Sequence, residues 1–409
     1  MSLNKKITSY ILLVAVIICS TFFSAGALFE KEIAVGKFYS CEQKLLCISH
    51  RGDIENYPEN SLEGVKSALK KGADFVSVNV AKTADGVFYL CEDESLGNVC
   101  NAPYESLAQM NSSEADNYVL YDIVGNETKY KLTSLEELLK ETDSEDGIIL
   151  DVKPEDKDVV YDVLSQNGAL YRVILRVKEG SSALIKWAES KSEKVYVIGV
   201  YSGNIIFSTI SAVNNMTKAE MPAVQYQSKN YFNVAFGDFF ANRYLCFSNA
   251  RAVAATYSPD LCGQRGDSSD GWNELIKKGY SVIETNNVEA FTEYRNEAER
   301  LEKSIAELLD KSFYVDPAKY SEVSLDNLEA ARLNCRIDIT PEVIVSLDEM
   351  QSDYSQLVFA LKDMKISTGE VDTRGALNVT AGKVIATLLV GAALLAGQIF
   401  VYKMRRKGK

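Results

Sequence analysis

Residues 47–61 read CISHRGDIENYPENS, and they hold the only histidine, His50, in a chain of 409 residues. The run LLCIS, residues 45–49, is short and apolar and ends at His50, as a buried strand would. Ser61 then has the character of a helix N-cap. After it Leu62, Val65, Ala68 and Leu69 share one helical face, Lys70 and Lys71 fall in the last turn, and Gly72 stops the helix. FVSVNV, residues 75–80, follows as a second strand. Strand, helix and strand in that order predict parallel pairing.

The pattern repeats downstream. VFYLC (87–91) reads as a strand, and Ser134 with Glu137 forms a capping box for the helix SLEELLKE. GIILDVK (147–153) is a buried strand bounded by Gly147 and Pro154. RVILRV (172–177), VYVIGVY (195–201), AVQY (223–226), AVAATY (252–257) and YSVIETN (280–286) continue the series, with helical patterns between most of them. About eight repeats over residues 42–300 fit a closed (β/α)8 TIM barrel, typically ~250 residues long. An open doubly wound sheet is the alternative, but no GxGxxG follows the first strand, which weakens a dinucleotide-binding reading.

After residue 300 the periodicity changes. Phe291, Tyr294, Ala298, Leu301, Ile305 and Leu308 recur at spacings of three and four, as do Leu347, Met350, Tyr354, Leu357, Leu361 and Met364. Thr340-Pro341 reads as a helix start. Residues 301–365 are therefore expected to form a small helical bundle, and 366–383 a polar linker.

Both ends are apolar. Residues 1–29 carry Lys5 and Lys6, an uncharged run from Ile7 to Phe29 and an A-x-A type site at Ala25-Gly26-Ala27, so a signal peptide or an N-terminal membrane anchor is expected. Residues 384–402 are nineteen in number and uncharged, and a basic tail of residues 403–409 follows. That is the pattern of a C-terminal transmembrane helix with a cytoplasmic stop, which places the bulk of the chain extracytoplasmic, at the cell surface. In such a compartment disulfides are permitted. Cys91 and Cys100 are either a bridge bracing the loop after Glu92 or two buried thiols.

Net charge is −13, which argues against nucleic acid as a partner. An anionic ligand would need local positive charge, from a metal or from placed arginine and lysine.

In a barrel of this kind the carboxyl ends of the strands line the site. His50 and Arg51, Ser77 and Asn79, Glu92 and Asp93, and Asp151 and Lys153 all fall at such ends. Residues 49–96, SHRGDIENYPENSLEGVKSALKKGADFVSVNVAKTADGVFYLCEDESL, resemble the opening of the glycerophosphodiester phosphodiesterase family. That family reads HRG, PENT, an amphipathic helix, G-A-D, a strand with E-x-D, T-x-D-G and then H-D-x-x-L. LTSLEELLKE, IILDVK and GYSVIETNNVEAF resemble later family segments, so the likeness spans roughly residues 45–300.

The resemblance implies a metal-dependent phosphoric diester hydrolase of lipid metabolism. It makes His50 the first catalytic histidine, Arg51 and Lys153 phosphate-binding residues, and Glu59 the PEN glutamate. It also implies losses. The two carboxylates of E-x-D are Ser77 and Asn79 here, the second histidine is Glu92, and the third metal carboxylate is shortened to Asp151. Carboxylate charge governs much of a hard cation's affinity, and a missing general acid or base costs ~10²–10⁴ in rate. Three readings follow. The first is a weak or inactive family member that binds a small phosphodiester or polyol. The second is an active enzyme using His50 and Glu92 as the acid–base pair, with Ca²⁺ or Mg²⁺, if any metal at all, held by Glu59, Asp93 and Asp151. The third is a structural surface protein that meets a protein partner through residues 301–365.

Overall fold

The first strand forms because Leu46 and Ile48 bury on one face and Cys47 on the other, and the chain cannot bury both faces without neighbours on each side. The computed structural model describes residues 34–39, 43–92, 96–179, 181–201, 223–226, 251–255, 266–277, 279–341 and 343–364. The expected signal or anchor (1–29), linker (366–383), transmembrane helix (384–402) and basic tail (403–409) lie outside these residues. Among the described residues no helix is long and apolar enough to cross a membrane.

Eleven strands are described: β1 (Leu46–His50), β2 (Phe75–Lys82), β3 (Phe88–Leu90), β4 (Val119–Tyr121), β5 (Glu127–Lys131), β6 (Gly147–Val152), β7 (Val173–Val177), β8 (Tyr196–Tyr201), β9 (Ala223–Tyr226), β10 (Arg251–Ala255) and β11 (Val282–Thr285). Eight of them pair in parallel around a ring in the order β1, β2, β6, β7, β8, β9, β10, β11, and β11 returns to β1. The sheet is therefore closed, as the sequence predicts, and the open alternative is excluded. Strand β3 pairs antiparallel with the far end of β2, and β4–β5 is a hairpin.

The helices that bear on the site are α1 (Leu62–Lys70), α2 (Leu135–Glu141), α3 (Lys157–Gln166), α4 (Ser181–Glu189), α5 (Ser269–Lys277), α6 (Val288–Ser312), α7 (Glu322–Asp338) and α8 (Leu347–Lys362). Helix α1 starts at Ser61, whose hydroxyl accepts from the Gly64 N–H at 3.1 Å and donates to the Pro58 carbonyl at 2.7 Å. It stops at Gly72, in the left-handed region at φ +101°.

Strand alternation sorts side chains into two inward layers. The lower layer is apolar: Leu46 and Ile48, Phe75, Ile149, Ile174, Ile198, Ala223 and Val282 pack together. The 3-10 turn Ala34–Tyr39 closes this end, with Ala34, Val35 and Phe38 buried against the layer and the Phe38 ring 4.8 Å from that of Phe75. Two residues further along the same strands, the inward positions become His50, Ser77, Asp151, Arg176, Gln225 and Glu284. The apolar floor thus supports a polar layer at the mouth.

The bundle is continuous with the barrel. The expected boundary at residue 300 falls inside one helix, α6, which packs on the barrel and runs on to Ser312. Its Phe291, Tyr294, Ile305 and Leu309 share one core with Trp272 of the barrel and with Leu328, Met350 and Leu357 of the bundle. The Tyr294 hydroxyl donates to Asn273 Oδ1 at 2.7 Å and accepts from the Leu347 N–H at 3.0 Å, which ties α5, α6 and α8 together. The helix start expected at Thr340-Pro341 is corrected: α8 begins at Leu347, with the Ser346 N–H on Glu349. The proline instead follows the end of α7, and Val343–Val345 run buried between the two helices.

Cys91 and Cys100 are both buried thiols in one apolar cluster, and no disulfide joins them. Cys41, Cys246 and Cys262 lie outside the described residues.

Candidate functional site

His50 ends β1, and the turn that follows is built from backbone. Arg51 is left-handed at φ +61°, and Gly52 follows at φ +92°. A Cβ on Gly52 would stand 2.8 Å from the Gly64 carbonyl carbon, so only glycine lets this turn lie on α1. Asp53 holds the turn down through Ser67 at 2.6 Å and Lys71 at 2.9 Å. Burial pushes the Asp53 carboxyl up, but the bonds from Ser67, Lys71 and Asn56 outweigh it and leave it below the usual carboxylate range. Asn60, also left-handed, accepts the Asn79 N–H on its side-chain oxygen at 3.0 Å and donates its own N–H to the Arg51 carbonyl at 2.9 Å. The PEN segment therefore fixes the turn against β2.

Arg51 points its guanidinium at two carboxylates. Its Nη1 lies 3.0 Å from both oxygens of Glu59, and its Nη2 lies 2.7 Å from Glu92 Oε2. Burial lowers the arginine's proton affinity, but Glu59 and then Glu92 more than restore it, so the charge is fixed. Lys153 follows β6, two residues beyond Asp151, on the same side of the barrel.

The centre of the mouth is organised by two residues that the sequence reading did not single out, Arg176 and Glu284. Arg176 donates to Asp151 through Nε at 2.5 Å and Nη2 at 2.6 Å, and through Nη1 to Glu284 at 2.7 Å and Gln225 at 2.9 Å. Glu284 accepts from the Ser77 hydroxyl at 2.6 Å, and His50 Nδ1 stands 3.4 Å from the same carboxylate oxygen. Burial pushes the Glu284 carboxyl up, but the charge of Arg176, and after it His50, hold it well below the usual range. Burial likewise lowers Arg176, and Asp151 and Glu284 raise it well above its ordinary value. A charged residue inside an apolar strand must be paired. The arginine in VILRV and the glutamate in VIET are therefore the sequence signals that pointed here.

Several expected site residues come together and others do not. His50, Ser77 and Asp151 meet in one network with Arg176 and Glu284. Arg51, Glu59 and Glu92 form a second. The carboxylate beside the imidazole is Glu284, and Glu92 engages Arg51. Glu59 and Asp151 belong to different arginines, and Asp93 lies outside the described residues. Among the described residues no group of three or more histidine, cysteine or acidic side chains is placed to hold a metal.

The donor set of a divalent ion can be tested on this geometry. Ser77 and Asn79 bring neutral oxygens only, and Asp151 and Glu284 already surround a guanidinium. A dication and a guanidinium ~4 Å apart repel by roughly 8 kcal/mol at an effective dielectric of ~20. These residues do not suit Ca²⁺ or Mg²⁺ while Arg176 stands between them.

Comparison with known proteins agrees with the motifs. The model of the glycerophosphoryl diester phosphodiesterase family matches residues 50–198. A glycerophosphodiester phosphodiesterase of Caldanaerobacter subterraneus is 40% identical over 58 residues, 14% of this chain and 24% of that protein. Glycerophosphodiester phosphodiesterase 1 of Rattus norvegicus is 25% identical over 124 residues, 25% of this chain and 38% of that one. The chain thus spans well under half the length of these curated relatives. A crystal structure of a glycerophosphoryl diester phosphodiesterase from Parabacteroides distasonis superposes with a TM-score of 0.51 at 20% identity, over 63% of this chain and 88% of that one, and supports the fold. Over residues 50–198, with its motifs in register, the chain is similar to the glycerophosphoryl diester phosphodiesterase family.

Proposed function

We propose that the barrel binds a small phosphodiester or polyol phosphate at its mouth with little or no turnover, on a chain held at a membrane with its bulk extracytoplasmic. The observation that carries this reading is the commitment of Asp151 to Arg176, beside neutral Ser77 and Asn79 at the positions where the family carries carboxylates. Phosphodiester cleavage needs charge neutralisation at phosphorus and a proton donor for the leaving alkoxide. His50, Arg51 and Lys153 supply positive or proton-bearing groups for recognition, whereas the second histidine is Glu92, which is tied to Arg51. Membrane attachment is supported by the two apolar runs of the sequence, residues 7–29 and 384–402.

The test measures binding and turnover separately. Calorimetry with sn-glycerol 3-phosphate is expected to give saturable binding that Arg51→Ala weakens at least tenfold. Glycerophosphocholine is expected to stay intact with or without Ca²⁺ or Mg²⁺. Steady hydrolysis abolished by His50→Ala would defeat the reading in favour of an active enzyme. That second reading has one observation behind it: Glu284, 3.4 Å from His50, can orient the imidazole as a carboxylate orients a general base. The role of residues 301–365 as the working part is the third reading, and their fusion to the barrel core gives it no separate support.

A further inference from the structure

We propose that Arg176 is an internal substitute for a divalent cation, and that it masks a latent cation site made of Asp151, Glu284 and the side-chain oxygens of Ser77 and Asn79. The inference rests on the barrel geometry together with the family reading above.

The layer of inward residues at the mouth has a defined charge plan. Asp151 and Glu284 enter from β6 and β11 and carry two negative charges. Arg176 enters from β7, next to Asp151 in register, and is 4% exposed while Glu284 is wholly buried. A wholly buried Glu284 and a part-buried Asp151 facing one space repel each other, and a cation between them stabilises both in the ionised form. The guanidinium supplies that cation. It meets Asp151 in the two-pronged geometry arginine favours and spends a further donor on Glu284.

Ser77 and Asn79 fit the same plan. Ser77 donates to Glu284, which orients that carboxylate. Asn79 sits beside Asp151 in register, and its side-chain oxygen is buried with no hydrogen-bond partner. An oxygen that can only accept, held beside a carboxylate, is suited to a hydrogen-bond donor or a positive centre. Asp151 and Glu284 meet the arginine, Ser77 backs Glu284, and Asn79 neighbours Asp151 in register, so four oxygen-bearing side chains belong to this part of the mouth. Hard cations take oxygen donors of this kind, carboxylate and amide together. The present charge on that ground is fixed to the chain, so it neither dissociates nor exchanges, and the mouth keeps its electrostatics at any divalent-ion concentration.

The full chain is titrated with MnCl₂, CaCl₂ and MgCl₂ by calorimetry and by thermal melting, alongside Arg176→Gln, Arg176→Lys and Arg176→Gln/Asp151→Asn. The wild type and Arg176→Lys are expected to show no saturable binding into the millimolar range and no rise in melting temperature. Arg176→Gln is expected to gain a saturable, concentration-dependent rise, at least tenfold weaker in the double variant. If Arg176→Gln folds only when Mn²⁺ is added, the inference is supported. If neither it nor Arg176→Gln/Glu284→Gln, which leaves one unpaired carboxylate fewer, responds to any of the three ions, the inference is overturned. Saturable wild-type binding lost in Asp151→Asn overturns it as well. The readout is metal binding alone, so failure to bind sn-glycerol 3-phosphate would count against the proposed function and leave this inference standing.

Discussion

Arg176 Nη1 lies 2.7 Å from Glu284 Oε2, and both side chains are buried on strands β7 and β11 of the ring. A buried ion pair is costly to halve, because the remaining charge has no water to turn to. Arg176→Met is therefore expected to lower unfolding stability by ~3–5 kcal/mol. Glu284→Gln keeps an oxygen acceptor for the guanidinium and leaves Asp151 to neutralise it, so its loss is expected to be nearer ~1–3 kcal/mol. Urea unfolding at neutral pH, with both variants compared to the wild type, checks the order.

The same pair predicts the acid limb of stability. The folded Glu284 carboxyl is held well below its unfolded value of ~4.3. A depressed carboxyl contributes stability that is fully present above the unfolded value and is lost as pH falls toward the folded one. Melting temperature should hold level above pH ~5 and fall steeply below pH ~4. Glu284→Gln should flatten that fall, and an unchanged acid limb in this variant would remove Glu284 from the account.

Arg51 is shared between Glu59, which meets it through both oxygens, and Glu92, which uses one and is the more exposed. An incoming phosphate must displace one of them, and Glu92 is the weaker hold. Glu92→Gln is expected to tighten sn-glycerol 3-phosphate binding by roughly two- to fivefold, the range of a half-exposed charge pair worth ~0.5–1 kcal/mol. Weaker binding would mean that Glu92 itself contacts the ligand.

Tyr294 joins barrel and bundle through one hydroxyl. Tyr294→Phe strands a buried Leu347 N–H, which should cost ~1–3 kcal/mol. Because the two parts share a core, denaturation is expected to remain a single transition that moves as a whole. Two separated transitions in the wild type would contradict that fusion.

Much of the barrel is legible in the sequence. Short buried runs announce strands, Ser61 and Gly72 punctuate the first helix, and HRG followed by PEN marks the first turn with the one residue, Gly52, that can lie on Gly64. Helix boundaries beyond residue 300 were less legible. Thr340-Pro341 carries a start signal, yet Val343–Val345 gain more from burial as an extended run, and α8 waits for Ser346. Periodicity alone did not reveal that α6 serves both barrel and bundle, since a helix shows its apolar face without showing what covers it.

The sequence by itself determined the alternation of buried strands with helices, the place of His50 and Arg51 just after the first strand, and the neutral residues Ser77 and Asn79 on the second. These follow from local rules: strand period, caps, and residue types at fixed offsets. Only the tertiary structure decided how the remaining charges are spent. Arg176 and Glu284 stand 108 residues apart in the chain, and nothing local to either names the other. Closing the barrel brings both inward at one level, where low dielectric makes pairing obligatory, and that pairing assigns Asp151 to an arginine and His50 to a glutamate.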